Sequence, residues 1–323
     1  MNEKIAVVGG AGFIGKNLCS KLSREGLEFS VFDKNIDPLN NHNHFILDIE
    51  DPKTLNKLKG HTVIIHLAAE HRDDVKPKSK YFDINVKGTE NLLKAANKFE
   101  IKKILFLSSV AVYGFSNKEL NENSKISYFN EYGKTKFMAE NSLRKWFKRN
   151  KNNKKLTIIR PTVVFGEGNK GNVHNLINQI YRKKFYMIGN GKNKKSMAYV
   201  DNLSAFIIHN LRLEKGYYLY NYSDSPDMDM NELVTFIKKQ LKMNPKILLR
   251  IPRFFGILAG YVFDILSLIL RKNLPVSSIR IIKFMNSSIY SKKSIEGFIP
   301  PYTLQEALSK TIENDFINKN NTL

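Results

Sequence analysis

The chain has 323 residues, 42% of them hydrophobic, which is ordinary for a soluble fold and enough for a large core domain with a smaller lobe. Its single cysteine, Cys19, excludes a disulfide framework and a cysteine-based metal site and fits a reducing, cytoplasmic setting. The net charge of +22, from 52 Lys plus Arg against 30 Asp plus Glu, asks for an anionic partner. The basic residues are spread rather than clustered, and the densest run, Arg144 to Lys155, reads as a solvated helix end and loop. No nucleic-acid-binding motif accompanies them, so no nucleic-acid partner is expected. Met1 to Lys4 lead straight into an apolar run, leaving no room for a signal peptide.

That run, Ile5-Ala6-Val7-Val8, breaks into Gly9-Gly10-Ala11-Gly12-Phe13-Ile14-Gly15 and restarts with helical spacing, which predicts a strand, a tight turn and a helix. Gly9 allows the sharp turn, Gly12 removes a Cβ where a pyrophosphate would approach, and Gly15 lets the helix pack closely. Glu28 to Phe32 is a second strand, ended by Asp33 about twenty residues past the glycines. A carboxylate there binds adenosine ribose hydroxyls and repels a 2′-phosphate, so the pattern favours NAD over NADP.

His44 to Leu47 predicts a third strand with Asp48 and Ile49 at its carboxyl end, placed to contact the adenine. His42 and His44 have no partner ligands at metal-binding spacing. Val63 to Ala69 is a continuous apolar strand of the kind that parallel sheets bury on both faces, with His66 as a core histidine. Glu70-His71-Arg72-Asp73-Asp74 then lies at the strand's carboxyl end, where open α/β sheets bind ligands; it is either a substrate-facing segment or a charged loop. A helix from Tyr81 to Phe99, carrying Asn85, precedes the strand Lys103 to Leu107, which delivers Ser108 and Ser109 to the same edge.

Tyr132 and Lys136 fall one turn apart at the start of a helix predicted to run through Trp146. An ammonium there favours ionisation of the phenol, whose ordinary pKa of about 10 is too high for a base near neutrality. The four-residue spacing is common in a chain with 14 tyrosines; its position after a cofactor turn, an acid-ended second strand and a serine-ended fifth strand gives it meaning.

Leu156 to Ile159 is a sixth strand ended by Arg160-Pro161, after which strand–helix alternation loosens. The loops Gly166 to Asn172 and Gly189 to Lys195 are rich in donors, suited to an anionic diphosphate or simply solvated. Phe254 to Leu270 is apolar except for Gly256, Gly260, Asp264 and Ser267, which fall on one stripe of a helix. Seventeen residues with a central Asp264 are too few to span a bilayer. Two readings stay open: a helix buried in the second lobe, or one lying in a membrane surface with Arg253, Arg271 and Lys272 meeting lipid phosphates.

Taken together these motifs resemble the extended short-chain dehydrogenase/reductase family of sugar-nucleotide epimerases and dehydratases, over essentially the whole chain. Leu67 to Val75, Gly171-Asn172-Val173, Gly191 to Val200, Phe263 to Ser267, Val276 to Arg280 and Pro301 to Leu304 are similar to a narrower group. Its members are bacterial 4-epimerases of N-acetylglucosamine linked through diphosphate to undecaprenol. The resemblance implies a doubly wound parallel-sheet Rossmann domain over 1–165, with 196–212 returning to it, and a substrate-binding lobe over 166–323. It implies NAD held by Gly9, Gly12, Phe13, Ile14, Gly15, Asp33, Asp48, Ile49, Leu67, Ala68, Ala69, Asn85, Tyr132 and Lys136. Tyr132 would be the acid and base at the 4-hydroxyl, Lys136 its tuner and a ribose ligand, and Ser109 the donor to the reacting oxygen. His71, Arg72, Ser109, Asn172 and Lys195 would face a diphosphate-linked amino sugar on a lipid carrier. A homodimer at the inner face of the cell membrane is implied as well. Many sugar-nucleotide relatives carry Arg-Asp where Lys195-Ser196 stand here, which leans away from a UDP carrier.

Overall fold

The apolar runs of the first half become strands because β-branched and aromatic residues with no polar alternation must be covered on both faces. A computed structural model of the chain describes residues 3–35, 43–72, 75–116, 118–270, 278–291 and 297–318, and for residue 280 the backbone alone. Strands β1 (Ile5–Val8), β2 (Phe29–Asp33), β3 (His44–Ile46), β4 (Val63–His66), β5 (Lys103–Leu107) and β6 (Lys155–Pro161) join a last strand, Gly216–Tyr222. They form one seven-stranded sheet in the order Gly216–Tyr222, β6, β5, β4, β1, β2, β3. Every pairing in it is parallel. The order reverses between β1 and β4, and a doubly wound sheet binds ligands in the crevice at such a reversal.

Alternate residues of each strand feed two cores. Ala6, Val8, Ile64, Ile104, Phe106 and Ile158 meet Leu92, Ala96, Ala139, Leu143 and Trp146 from the helices Thr89–Lys98 and Glu131–Lys148. Ile5, Val7, Val31, Ile65 and Leu105 meet Leu18, Cys19 and Leu22 of Phe13–Arg24 and Leu203, Phe206 and Ile207 of Val200–Leu211. A third core lies beyond the sheet, built from Phe165, Ile177, Met187, Tyr199, Leu233, Ile237, Leu304 and Leu308.

The structure trims several expected elements. The strand expected through Ala69 ends at His66, because Leu67 and Ala68 both turn their N–H groups to the carbonyl of Val8, at 2.8 and 3.0 Å. The helix expected from Tyr81 starts at Ser79 and widens to a π-helical turn over Asp83–Gly88 before resuming at Thr89. A widened turn of this kind re-aims side chains, here including Asn85.

The apolar helix is Arg253–Ile269, and it is not buried. Its inward stripe is the small and polar one. A Cβ on Gly256 would lie 2.4 Å from Ile188, one on Gly260 would lie 2.7 Å from the backbone of Ser278, and Asp264 accepts from the Ser278 N–H at 3.3 Å. The large side chains face out: Phe254 is 70% exposed, Leu268 82% and Ile269 71%. Arg271 and Lys272, expected to flank this helix, lie outside the described residues. Packing therefore depends on the glycines and not on the leucines. Gly260→Val should lower unfolding free energy by roughly 1–3 kcal/mol in urea titrations, whereas Leu268→Ser should change it by less than about 0.5 kcal/mol. Equal effects would refute this account of the helix.

Candidate active site

Four segments converge at the carboxyl ends of β1, β2, β4 and β5. Gly9 turns with φ +88°, and a Cβ on it would lie 2.4 Å from the Ala68 nitrogen, so the backbones at the ends of β1 and β4 touch. No L side chain fits that contact. Gly12 then opens the Phe13–Arg24 helix with no side-chain cap, leaving first-turn N–H groups for an anion. The side chains of Phe13 and Ile14 themselves pack on the third core, so their contribution at the turn is backbone. Asp33 leans to the same turn: its carboxylate accepts from Ala11 N–H at 3.1 Å and from Asn35 N–H at 3.0 Å.

Other expected cofactor residues serve the frame. Asp48 accepts from Glu50 N–H at 2.9 Å, closing the bend after β3. Ile49 is buried beneath Gly88, where a Cβ would come within 2.6 Å of it. Asn85 accepts from Glu70 N–H at 2.8 Å and donates to Glu70 O and Thr135 Oγ1, both at 3.0 Å. It thereby ties the loop that follows Ala69 to the helix carrying Tyr132.

Ser109 lies two residues past the end of β5 and caps the short turn Val110–Tyr113 by accepting from Ala111 N–H at 3.1 Å. The same side chain faces the Tyr132 phenol and acts to favour its ionised form. Tyr132 lies in the first turn of Glu131–Lys148, a helix capped by Asn130, whose side chain accepts from Gly133 N–H at 2.9 Å. Gly133 is a residue the sequence reading missed. A Cβ there would lie 2.4 Å from the Ala111 carbonyl, so only glycine lets this helix close on the serine turn. Burial pushes the Tyr132 phenol up to about 12, against the lowering effect of the Ser109 hydrogen bond. Ser109 is thus a group that favours the phenolate.

Lys136 is 2% exposed, with its ammonium 4.3 Å above the ring of Phe106. Burial pulls it down to about 7, opposed by the Glu140 carboxylate. The ammonium has no protein hydrogen-bond acceptor among the described residues. A buried cation with unspent donors, beside an uncapped helix and an acid at the end of β2, fits a nucleotide's ribose and phosphates. His66 below it is neutral, held down to about 3 by burial and then by the Lys136 charge. Its Nε2 lies 3.0 Å from Thr89 Oγ1, whose own hydrogen goes to Asn85 O at 2.7 Å, so Nε2 carries the proton. His66 is thus a core histidine.

The expected substrate residues are less concentrated. His71 and Arg72 are exposed beyond β4, and the Arg72 guanidinium grips the Glu70 carboxylate at 3.0 and 3.2 Å. Asp73 and Asp74 lie outside the described residues, as does His42. Asn172 is exposed as the first residue of the helix Asn172–Tyr181, whose N-cap Gly171 offers no side chain. Lys195 departs from expectation. Its ammonium donates to Lys283 O at 2.8 Å and to Asn286 O, and burial holds it down to about 8. It closes the end of the helix Ser278–Met285 and is not free to meet phosphate.

A sequence model of the NAD dependent epimerase/dehydratase family matches residues 5–221. The chain is 43% identical to an Escherichia coli O157:H7 protein, N-acetyl-alpha-D-glucosaminyl-diphospho-ditrans,octacis-undecaprenol 4-epimerase, across 98% of this chain and 97% of that one. It is 27% identical to a UDP-glucose 4-epimerase of Vibrio cholerae, across 99% and 98%. Among solved structures, MoeE5 in complex with UDP-glucose and NAD superposes with a TM-score of 0.77 at 19% identity, across 99% of this chain and 100% of that one. A Thermotoga maritima UDP-glucose 4-epimerase with UDP-glucose gives 0.76 at 22%, with the same coverage.

The buried ammonium leaves a trace in stability. Folded Lys136 loses its proton near 7, while the unfolded chain keeps it to about 10.4, so between these values the unfolded state binds more protons and stability rises with pH. Lys155 and Lys195, each lowered to about 8, act in the same sense. Urea unfolding at pH 7, 8 and 9 should therefore give increasing free energies, with a shallower slope in Lys136→Met. A slope unchanged by that substitution would show that the ammonium is not desolvated.

Proposed function

Because the chain belongs to the NAD-dependent epimerase/dehydratase family, we propose that it inverts C4 of an N-acetylhexosamine carried on undecaprenyl diphosphate. The interconversion is between N-acetylglucosamine and N-acetylgalactosamine, for O-antigen or similar surface polysaccharide. One observation carries this reading: 43% identity, over nearly the full length of both chains, to a protein named for that substrate. The Vibrio cholerae relative named for UDP-glucose is 27% identical over comparable length.

NAD is the cofactor, and when bound it takes hydride from C4 and gives it back. The chain's own residues do the rest. Asp33 receives ribose hydroxyls, and the uncapped turn at Gly12 receives phosphate. Lys136 lends its unspent donors to the ribose nearer the chemistry. Tyr132 takes the proton of the 4-hydroxyl and later returns it. Ser109 donates its one hydroxyl hydrogen to the same oxygen, stabilising it as charge develops. Inversion requires the 4-keto sugar to turn within the site and present its other face. Asn172, at an open helix start, is the chain's donor for the diphosphate. In this reading 1–165 with 196–212 form the NAD-binding body and 166–323 mainly the substrate lobe, although Gly216–Tyr222 belongs to the main sheet.

The same reading puts the protein at the cytoplasmic face of the membrane, as a homodimer. No helix among the described residues is long and apolar enough to cross a bilayer. The exposed face of Arg253–Ile269 and the net charge of +22 support interfacial binding to anionic lipid.

Two experiments test the proposal. Purified protein should interconvert lipid-diphosphate-linked GlcNAc and GalNAc without added reductant, and Tyr132→Phe should lose at least about a thousandfold in kcat while retaining NAD. Turnover of UDP-GlcNAc alone would make it a nucleotide-sugar epimerase instead. In flotation assays the protein should rise with anionic vesicles, and the pair Ile265→Ser and Leu268→Ser should remain in the soluble fraction with an unchanged unfolding midpoint. Equal flotation would remove the helix as the anchor.

A further inference from the structure

Beneath the serine turn lies a charged cluster that no reaction step uses. Glu140 is completely buried on the helix Glu131–Lys148, one turn beyond Lys136 and on the same face. One carboxylate oxygen accepts from Ser108 Oγ at 2.6 Å and from Arg160 Nε at 2.8 Å. The other accepts from Arg160 and Arg144, each at 2.6 Å. Arg160, 1% exposed at the end of β6, also donates to Tyr113 OH at 2.6 Å, and Tyr113 donates to Asn221 Oδ1 at 2.8 Å on the edge strand. The cluster thus joins the ends of β5, β6 and Gly216–Tyr222 to the Tyr132 helix.

We propose that Glu140 is a positioning residue for the reaction: its carboxylate fastens the serine turn to the Tyr132 helix and supplies the negative charge that faces the buried Lys136 ammonium. The inference rests on the reading of Lys136 given above. From β4 that ammonium meets neutral His66, from β5 the ring of Phe106, and from its own helix the Glu140 carboxylate. Glu140 is therefore the acid that opposes the loss of the lysine's proton on burial. Three cations, Lys136, Arg144 and Arg160, share this one carboxylate, while Glu122 accepts from the Asn221 N–H at 2.8 Å. A purely structural pair would fix the helix equally well with a neutral hydrogen-bonding partner. An electrostatic partner would not.

The distinction can be read without turnover. In protein with NAD bound and 13C-labelled lysine, the Lys136 Cε resonance, assigned by its loss in Lys136→Met, reports the ionisation midpoint. Glu140→Gln keeps the shape and removes the charge, and should lower the midpoint by about one pH unit or more. Arg144→Met removes a competing cation at the solvent edge and should raise it. Opposite displacements are what a carboxylate shared among cations requires. A midpoint unmoved in both variants, or displaced the same way in both, overturns the proposal. Should Glu140→Gln not fold, Arg144→Met decides alone, since an unmoved or lowered midpoint there is equally fatal. Failure of the substrate assignment would appear as absent turnover of lipid-linked sugar and would leave these titrations standing.

Discussion

The buried bidentate pair between Arg160 and Glu140 fixes the geometry on which the rest depends. A guanidinium and a carboxylate taken from water into an apolar interior cost several kcal/mol each, and only near-complete hydrogen bonding offsets this. Here every oxygen of Glu140 has two donors and Arg160 has a third acceptor in Tyr113. The pair tolerates little displacement, because moving one partner strands the other in a low dielectric. Ser109, one residue past Ser108, and Tyr132, two turns before Glu140, inherit that rigidity. Their hydrogen bond is held from below rather than by the loop that presents it.

Closeness at this site comes from missing side chains as much as from attractive contacts. Gly9 lets the end of β1 touch the backbone after β4, and Gly133 lets the Tyr132 helix touch the serine turn. Both contacts are between main chains, so neither adapts by rotamer change. The two together set the distance between the glycine turn and the Tyr132 phenol.

How much of this could be read from residues alone follows the range of the interactions. The glycine turn, Asp33 and the apolar strands β1, β4 and β5 were legible because each is determined by neighbours within a few residues. Tyr132 and Lys136 were legible from spacing and order. Gly133 and Glu140 sit in the same helix yet were passed over, since their partners Ala111 and Arg160 are distant in the chain. Arg160 offered a signal, a lone charge ending the apolar run Leu156 to Ile159, but a strand-ending arginine reads equally well as solvated. Lys195 misled for the converse reason. A lysine in a turn rich in Gly, Asn and Lys looks free until the end of the helix Ser278–Met285 supplies the carbonyls that occupy it. Gly216–Tyr222 joins the sheet beside β6 after more than fifty intervening residues, a pairing no local pattern encodes.

The helix Arg253–Ile269 inverts the usual logic of amphipathic packing. Its glycines, Asp264 and Ser267 face the protein, and Phe254, Leu258, Ile265 and Leu268 face away. Each large apolar side chain left in water forgoes roughly 1.5–3 kcal/mol of burial free energy. A helix meant only to complete the lobe would turn the leucines inward and gain that energy. Small residues on the inner face instead let the helix lie flat against Ile188 and Ser278 while the whole apolar payload stays outside. Such an arrangement is stable where the outside is not water, and an acyl-chain boundary meets that condition without asking the helix to span it. Asp264 fits the same geometry, because its carboxylate is turned to the Ser278 N–H and away from the face that would meet lipid. Under the proposed function, a substrate tethered by a polyprenyl tail would give the sheet edge and this face a reason to belong to one molecule.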